Sequence, residues 1–203
     1  MMADPEVAYW LGGTMTAAQC AAGWRKREAA FERQGFGVWV VERKADAAFL
    51  GCAGLDAVGD DIPFAPAVDA SWRLTRIAWG HGYATEAASA AIDDGFIHHG
   101  LTEVTAITAR SNQRSQAVME RLGMYRDPER DFDHPLPGLR PALRAHVVYA
   151  LSREAWAASR AMAVRSGEPL GTSQLPPTHI TEAMASQAGA AAAVIPPVGQ
   201  KRT

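Results

Sequence analysis

The hydrophobic period changes several times along the first half of the chain. Thr16 followed by Gln19 fits a capping box, and Cys20, Trp24 and Phe31 then recur at offsets of four and seven, which predicts a helix over about 17–33. Gly35 and Gly37 end it. Residues 38–42 and 48–55 are β-rich runs joined by the polar Arg43-Lys44-Ala45-Asp46, the pattern of a hairpin, and 68–74 reads as a third strand. A glycine-bearing turn, 79–82, runs into an Ala-rich helix over 83–99, closed by Gly100. Its Ala84, Ala87, Ala88, Ala91 and Ile92 form a small-residue face suited to close packing on a sheet. Residues 103–109 form a β-branched strand, 112–122 an amphipathic helix ending at Gly123, and 145–151 a last strand. Strands that alternate with helices argue a mixed α/β sheet with helices packed on it.

Composition sets the extent of this domain. The chain has 203 residues, 48% of them hydrophobic, enough for one well-buried core. Its last aromatic residue is Trp156. Beyond it come Ala, Pro, Ser and Gly, with proline pairs at 176/177 and 196/197, and such a segment buries too little to offset its chain entropy. The expected division is a domain at 1–156 and a disordered Ala/Pro-rich tail at 157–203, with one helical turn after Trp156.

Charge and cysteine content remove several classes of function. Twenty basic residues against 22 acidic ones leave a net charge of -2, without the basic field that draws proteins to nucleic acid. Cys20 and Cys52 have no CxxC spacing, so neither a disulfide framework nor a zinc site is expected, and a reducing cytoplasmic compartment is the default. Asp4 and Glu6 stand where a signal peptide carries Lys or Arg, and no run approaches the ~18 apolar residues of a membrane span. His98 and His99 are adjacent, read as solvated helix-end residues and make a poor metal pair; Arg25-Lys26-Arg27 reads as a solvated helix face.

Two segments carry candidate chemistry. The first is Trp79-Gly80-His81-Gly82-Tyr83-Ala84-Thr85-Glu86, between the third strand and the Ala-rich helix. Glycines at a helix start let backbone N–H groups approach an anion, and the helix dipole favours phosphate there. A plain tight turn explains the same two glycines equally well. A dinucleotide fingerprint would need a third small residue where Thr85 stands, and the P-loop Gly-Lys-Ser/Thr, the G-x-S-x-G elbow and the H-E-x-x-H pair are absent. The second segment is Asn112-Gln113-Arg114-Ser115-Gln116-Ala117-Val118-Met119-Glu120-Arg121-Leu122-Gly123-Met124, directly after strand 103–109.

In this order and spacing the two segments resemble the GNAT acetyltransferase superfamily, in its ribosomal-protein alanine acetyltransferase-like branch. The resemblance runs from Asp4-Pro5-Glu6-Val7 through Ser71-Trp72-Arg73-Leu74 to Arg144-Ala145-His146-Val147 and on to Trp156. It implies a mixed, mostly antiparallel α/β (α+β) sheet with flanking helices. The family's first strand and helix precede the Asp-Pro-Glu-Val segment, so the fold is expected to lack them and to expose an edge on strand 38–42.

The resemblance also implies acetyl-CoA as cosubstrate, without a metal. Its pyrophosphate would rest on main-chain N–H groups within Trp79, Gly80, His81, Gly82, Tyr83, Ala84 and Thr85, although the family's first position, Gln or Arg, is Trp79 here. The pantetheine arm would lie along 72–75, at Leu74, in the splay between strands 68–74 and 103–109. Asn112 matches the asparagine that holds this arm, and it would equally serve as an N-cap. Acetyl transfer needs a base for the amine and an acid for the thiolate. Asp69 takes the position where relatives carry Glu and is the candidate base; a solvated carboxylate is the competing reading. The family's tyrosine acid is replaced by Met119, which leaves Ser115 as the nearest matched hydroxyl, with Tyr125 and His134 as further candidates.

The function that follows is N-acetyl transfer to a primary amine, on a protein N-terminus or a small molecule, by a protein that contacts neither nucleic acid nor membrane and could pair as a homodimer. Two rivals stay open: a non-catalytic acyl-CoA-binding or regulatory protein of the same fold, and a nucleotide-binding module using the same turn.

Overall fold

The computed structural model describes residues 1–166 of the 203. The chain opens with a short helix, α1 (Pro5–Tyr9), capped by Asp4, whose Oδ1 accepts from the Glu6 N–H at 2.9 Å. The helix α2 (Ala17–Gln34) starts on the expected capping box: Thr16 Oγ1 accepts from the Gln19 N–H at 3.2 Å, and Gln19 Oε1 accepts from the Thr16 N–H at 2.8 Å. None of its residues is fully buried. Its seat on the sheet includes an ion pair between Arg27 and Asp56 at 3.7 Å, so Arg27 belongs to the buried side of α2 and not to a solvated face.

Next come β1 (Val38–Arg43), β2 (Ala48–Ala57), β3 (Val68–Leu74), α3 (Tyr83–His98), β4 (Glu103–Ala109) and α4 (Gln113–Arg121). These agree with the pattern-based ranges to within two residues. The chain ends with β5 (Tyr125–Arg126), β6 (Phe132–Asp133), α5 (Pro141–Arg144), β7 (Ala145–Ser152) and α6 (Arg153–Ser166). Of these, only β7 was marked by its hydrophobic pattern. The sheet order is β1-β2-β3-β4-β7-β5, with β6 also on β7, and every pair is antiparallel except β3 with β4.

Two expectations need correcting. The helix after Trp156 is not a single turn: α6 continues to Ser166, and Arg160 reaches back to Asp93 and to the Ser89 hydroxyl. Trp156 Nε1 donates to the same Asp93 at 2.7 Å, so the fold extends past residue 156; the rest of the expected tail lies outside the described residues. His98 is exposed at the helix end as expected, but His99 is half-buried. His98 Nδ1 lies 2.9 Å and His99 Nε2 3.1 Å from the Asp94 carboxylate, because His99 has left helical geometry at φ -109° and turns its ring back toward Phe36.

Alternation along the strands gives the sheet two unlike faces. Leu55, Ala70, Val104, Ala106, Val147, Tyr149 and Leu151 point to one side and form the main core with Ala91, Ile92 and Phe96 of α3 and Met119 of α4. Helix α3 sits close because its contact face is small: a Cβ on Gly95 would lie 2.6 Å from Leu55 Cδ1. Phe96 is fully enclosed, and its loss should cost ~3–5 kcal/mol. The register places Asp56, Asp69, Thr105, Ile107, Ala109, Val148 and His146 on the opposite face, covered in part by α2 and by residues 58–67, where Phe64 stacks on Phe132 at 5.7 Å.

The two halves of the sheet touch through one register position. Strands β3 and β4 pair at Asp69 with Thr105 and nowhere else, so their C-terminal halves diverge. Trp72 packs against the main core and also against a second apolar cluster formed by Val41, Leu50, Ala53, Leu74 and Tyr83. At the far side β1 is the free edge among the described residues, and Trp39 Nε1 beside it is buried without a partner there.

The turn of β2 against β3 depends on Gly51, which lies at φ +146° and would place a Cβ 2.2 Å from the Arg73 carbonyl oxygen. Gly51→Ala should therefore destabilise the domain by roughly 2 kcal/mol or more. A melting temperature equal to that of the parent chain would contradict this.

Candidate active site

The splay is closed at its wide end by a short 3-10 turn, Arg76–Ala78, and the glycine turn that follows. Gly80 and Gly82 are both left-handed, at φ +79° and +80°, a region open to glycine at little cost. Gly82 is the N-cap of α3 and brings no side chain. The first backbone bond of the helix runs from the Glu86 N–H to the Gly82 carbonyl at 3.0 Å. The N–H groups of Gly82, Tyr83, Ala84 and Thr85 therefore precede the ladder and have no partner among the described residues. A Cβ on Gly80 would meet nothing within 4 Å, so the space over the turn is open. Unpaired donors at the positive end of a 16-residue helix suit a pyrophosphate.

The flanking residues play different parts. Trp79 is not one of the donors: its backbone N–H is taken by the Arg76 carbonyl at 3.1 Å and its Nε1 by the Leu74 carbonyl at 3.1 Å. It braces the turn, and the Arg114 guanidinium stacks over its ring at 4.8 Å. The Leu74 carbonyl is thus already engaged, and its side chain is buried with those of Val41, Leu50 and Tyr83. The Tyr83 N–H is one of the unpaired donors while its ring is buried, and His81 is exposed.

Asn112 caps α4, with Oδ1 accepting from the Ser115 N–H at 3.2 Å. Its Nδ2 has no partner among the described residues, and Asn112 borders a cavity of about 490 Å³ walled by Tyr9, Trp10, Trp79 and Arg114. That volume falls in the ordinary range of small-molecule sites. Glu6 of α1 pairs with Arg76 at 2.7 Å, which ties the aromatic wall to the turn.

Asp69 sits where β3 and β4 last touch. The Thr105 hydroxyl donates to the Val68 carbonyl at 3.0 Å and lies 3.5 Å from Asp69 Oδ1. Desolvation first, then the neighbouring Asp56 carboxylate, push Asp69 well above the usual carboxylate range, against the opposing pull of the Ile107 N–H, the Thr105 hydroxyl and the Arg73 guanidinium. Asp69 still keeps part of its surface open. This is not the environment of a freely solvated carboxylate.

The acid candidates separate clearly. Met119 is 1% exposed within the main core, on the face away from Asp69, so nothing at that position could reach a thiolate on the open face. Ser115 is half-buried in the first turn of α4, beside Asn112. The Tyr125 hydroxyl is committed to Glu103, at the N-terminal end of β4 and away from the wide end of the splay. His134 stacks on His146 at 4.7 Å, and burial lowers the affinity of both rings for a proton. His146 Nδ1 donates to the Arg144 carbonyl at 3.0 Å, whereas His134 Nδ1 accepts from the Leu136 N–H at 3.1 Å.

Sequence reasoning missed Arg73, Thr105 and His146 as parts of this region. The alternation Asp69, Ser71, Arg73 was the available signal, since it places all three on the same face of β3. Among the described residues no cluster of His, Cys, Asp and Glu could hold a metal ion, and no helix is long and apolar enough to cross a membrane.

Residues 1–125 match the acetyltransferase (GNAT) domain family, and the chain belongs to it. An uncharacterised Bacillus subtilis protein, YkkB, is 31% identical over 126 residues, covering 60% of this chain and 70% of that protein. The FsC-acetyl coenzyme A-N(2)-transacetylase of Aspergillus fumigatus is 33% identical over 87 residues, 42% of this chain, which spans only 36% of the fungal protein. Among solved structures, a GNAT-family acetyltransferase from Bacillus anthracis superposes with a TM-score of 0.61 at 21% identity, over 75% of this chain and 85% of that one. A ribosomal-protein alanine acetyltransferase from Vibrio fischeri gives 0.59 at 18% identity, covering 74% and 82%. A spermidine N-acetyltransferase from Vibrio cholerae, solved with CoA and spermine, gives 0.60 at 11%, covering 77% and 88%. These likenesses establish the fold, and the alanine acetyltransferase branch is one neighbour among several.

Gly82→Asp should abolish CoA binding while the domain stays folded, because a carboxylate would stand over the unpaired N–H groups and repel a phosphate. Calorimetry that finds CoA affinity unchanged in the folded variant would remove the turn from the binding site.

Proposed function

We propose that this chain is an acetyl-CoA-dependent N-acetyltransferase that acylates a primary amine, with Asp69 as the base. One observation carries the reading. The parallel strands β3 and β4 part at Asp69, so a desolvated carboxylate stands at the narrow end of a splay whose wide end holds four unpaired helix N–H groups.

The residues would divide the chemistry as follows. The N–H groups of Gly82 to Thr85 bind the pyrophosphate, while Asn112 Nδ2 and the cavity beside Trp79 and Arg114 receive the pantetheine arm. When bound, acetyl-CoA supplies the acyl group as a thioester. Asp69 accepts a proton from the incoming ammonium, directly or through water, since an alkylamine with pKa near ~10 arrives charged. The Ser115 hydroxyl is the nearest matched group for returning a proton to the sulfur. A rival reading, an acyl-CoA-binding protein without turnover, is favoured by the burial of Met119 at the usual acid position. Thiol release from acetyl-CoA across an amine panel separates the two.

The raised affinity of Asp69 for protons gives the pH dependence its sign. The base is active only when ionised, so the rate should climb as pH rises through its elevated pKa. The same shift makes the ionised form costly to the fold, so stability falls over that interval and a neutral residue at position 69 removes the cost. Asp69→Asn should lower the rate by roughly 10²-fold, abolish this limb of the profile, keep CoA affinity and not lower the melting temperature at pH 7. An unchanged pH–rate profile would take Asp69 out of the mechanism.

A further inference from the structure

We propose that the acceptor is a small amino carboxylate, and that the Arg73 guanidinium binds its carboxylate while its amine faces Asp69. The inference rests on the acetyl-transfer reading above and names the substrate class of the same site.

The surroundings of Arg73 point to a missing anion. It lies half-buried near the end of β3, and its guanidinium makes no hydrogen bond or ion pair with any described residue. Desolvation, then the nearby Arg27, weaken its hold on its proton, and Asp56 and Asp69 only partly offset this. Arg27 already has a partner in Asp56. A guanidinium taken out of water without a partner carries a free-energy cost, and a bound carboxylate would offset it with two parallel N–H···O bonds.

Its direction excludes the cofactor phosphates. Leu74, next along β3, points into the cluster under α3 with Ala78, Tyr83 and Ala87, so Arg73 points to the other face, away from the helix whose N-terminus would hold the pyrophosphate. That other face is the one on which Asp69 lies. Asp69, Ser71 and Arg73 form a single row along the rim of the splay, and Ser71 keeps part of its surface open. At ~3.3 Å per residue, Ser71 lies about 6.6 Å along the strand from each of the other two. An amine placed over Ser71 has Asp69 on one side and, within reach of a long arginine side chain, Arg73 on the other. Opposite charges at the two ends of the row match a molecule that carries both an ammonium and a carboxylate. A diamine would set a second cation against Arg73.

The test compares free L-amino acids, the matching amino acid amides and putrescine as acceptors of acetyl-CoA, followed by thiol release, in the full chain and in Arg73→Gln. Amino acids should exceed their amides in kcat/KM by roughly 100-fold, mainly through KM, and the ratio should fall toward one in the variant. The variant should melt no lower than the parent, since it loses an unpaired charge; a lower melting temperature would mean that Arg73 is a structural partner of Asp56 or Asp69. A ratio near one in the parent, putrescine as the best acceptor, or an equal loss for acid and amide in the variant would each overturn the proposal. Calorimetry with an N-acetyl amino acid in the presence of CoA decides it independently of turnover, with binding expected in the parent and lost in Arg73→Gln. If no amine is acetylated yet this binding is found, the acetyl-transfer reading fails and the carboxylate site stands.

Discussion

The fold turns on a single bridge between parallel strands. Asp69 and Thr105 are the one register pair of β3 with β4, and the Thr105 hydroxyl reinforces it by donating to the Val68 carbonyl at 3.0 Å. On one side β1, β2 and β3 form an antiparallel unit, and on the other β4 and β7 pair along seven positions. Had β3 and β4 stayed paired to their ends, their inner N–H and C=O groups would satisfy one another. Because they part, those groups become available to a guest, and the wide end meets the start of α3, where further N–H groups are unpaired. The same bridge holds a carboxylate in a desolvated setting, so opening the strands and shifting the acid have one structural origin.

Both sheet faces contribute, by opposite means. Under α3 the face is apolar and closely filled, with Phe96, Ile92 and Met119 sealed against Val104, Ala106 and Tyr149, and this rigidity fixes the first turn of α3 against the strand ends. The other face carries Asp56, Asp69, Arg73, Thr105 and His146 beneath a helix, α2, that buries none of its residues fully. A loosely covered polar face stabilises the fold less than a second apolar layer would. It does leave polar and charged groups only partly covered, an arrangement expected where function competes with stability.

Most of the fold was legible in the sequence, for physical reasons that also explain the gaps. Long elements with a clean period, such as α3 with its alanine face and β4 with its β-branched run, came out with bounds close to those observed. The two-residue strands β5 and β6 and the four-residue α5 are too short to show a period, and they form only because β7 and the core offer them a place. At the candidate site, the glycines of the turn before α3 were visible because left-handed backbone demands them. Trp79 was not recognised as a brace, since its bonds to the nearby Arg76 and Leu74 carbonyls depend on the orientation of the turn and of the indole ring, which no residue pattern shows. Arg73 was overlooked because its state depends on what surrounds it: α2 brings Arg27 to Asp56 and leaves the Arg73 guanidinium without a hydrogen bond or ion pair, and no local pattern encodes that. His99 reached Asp94 for a similar reason, a departure from helical geometry at the C-cap.

The claim that the β3/β4 splay and the start of α3 form one cofactor site is tested most directly by amide hydrogen exchange in the full chain, with and without CoA. The account predicts new protection at residues 80–85, along 72–75 and at the start of α4, with little change across β1 and β2. Protection confined to another part of the sheet, or none at saturating CoA, would contradict it.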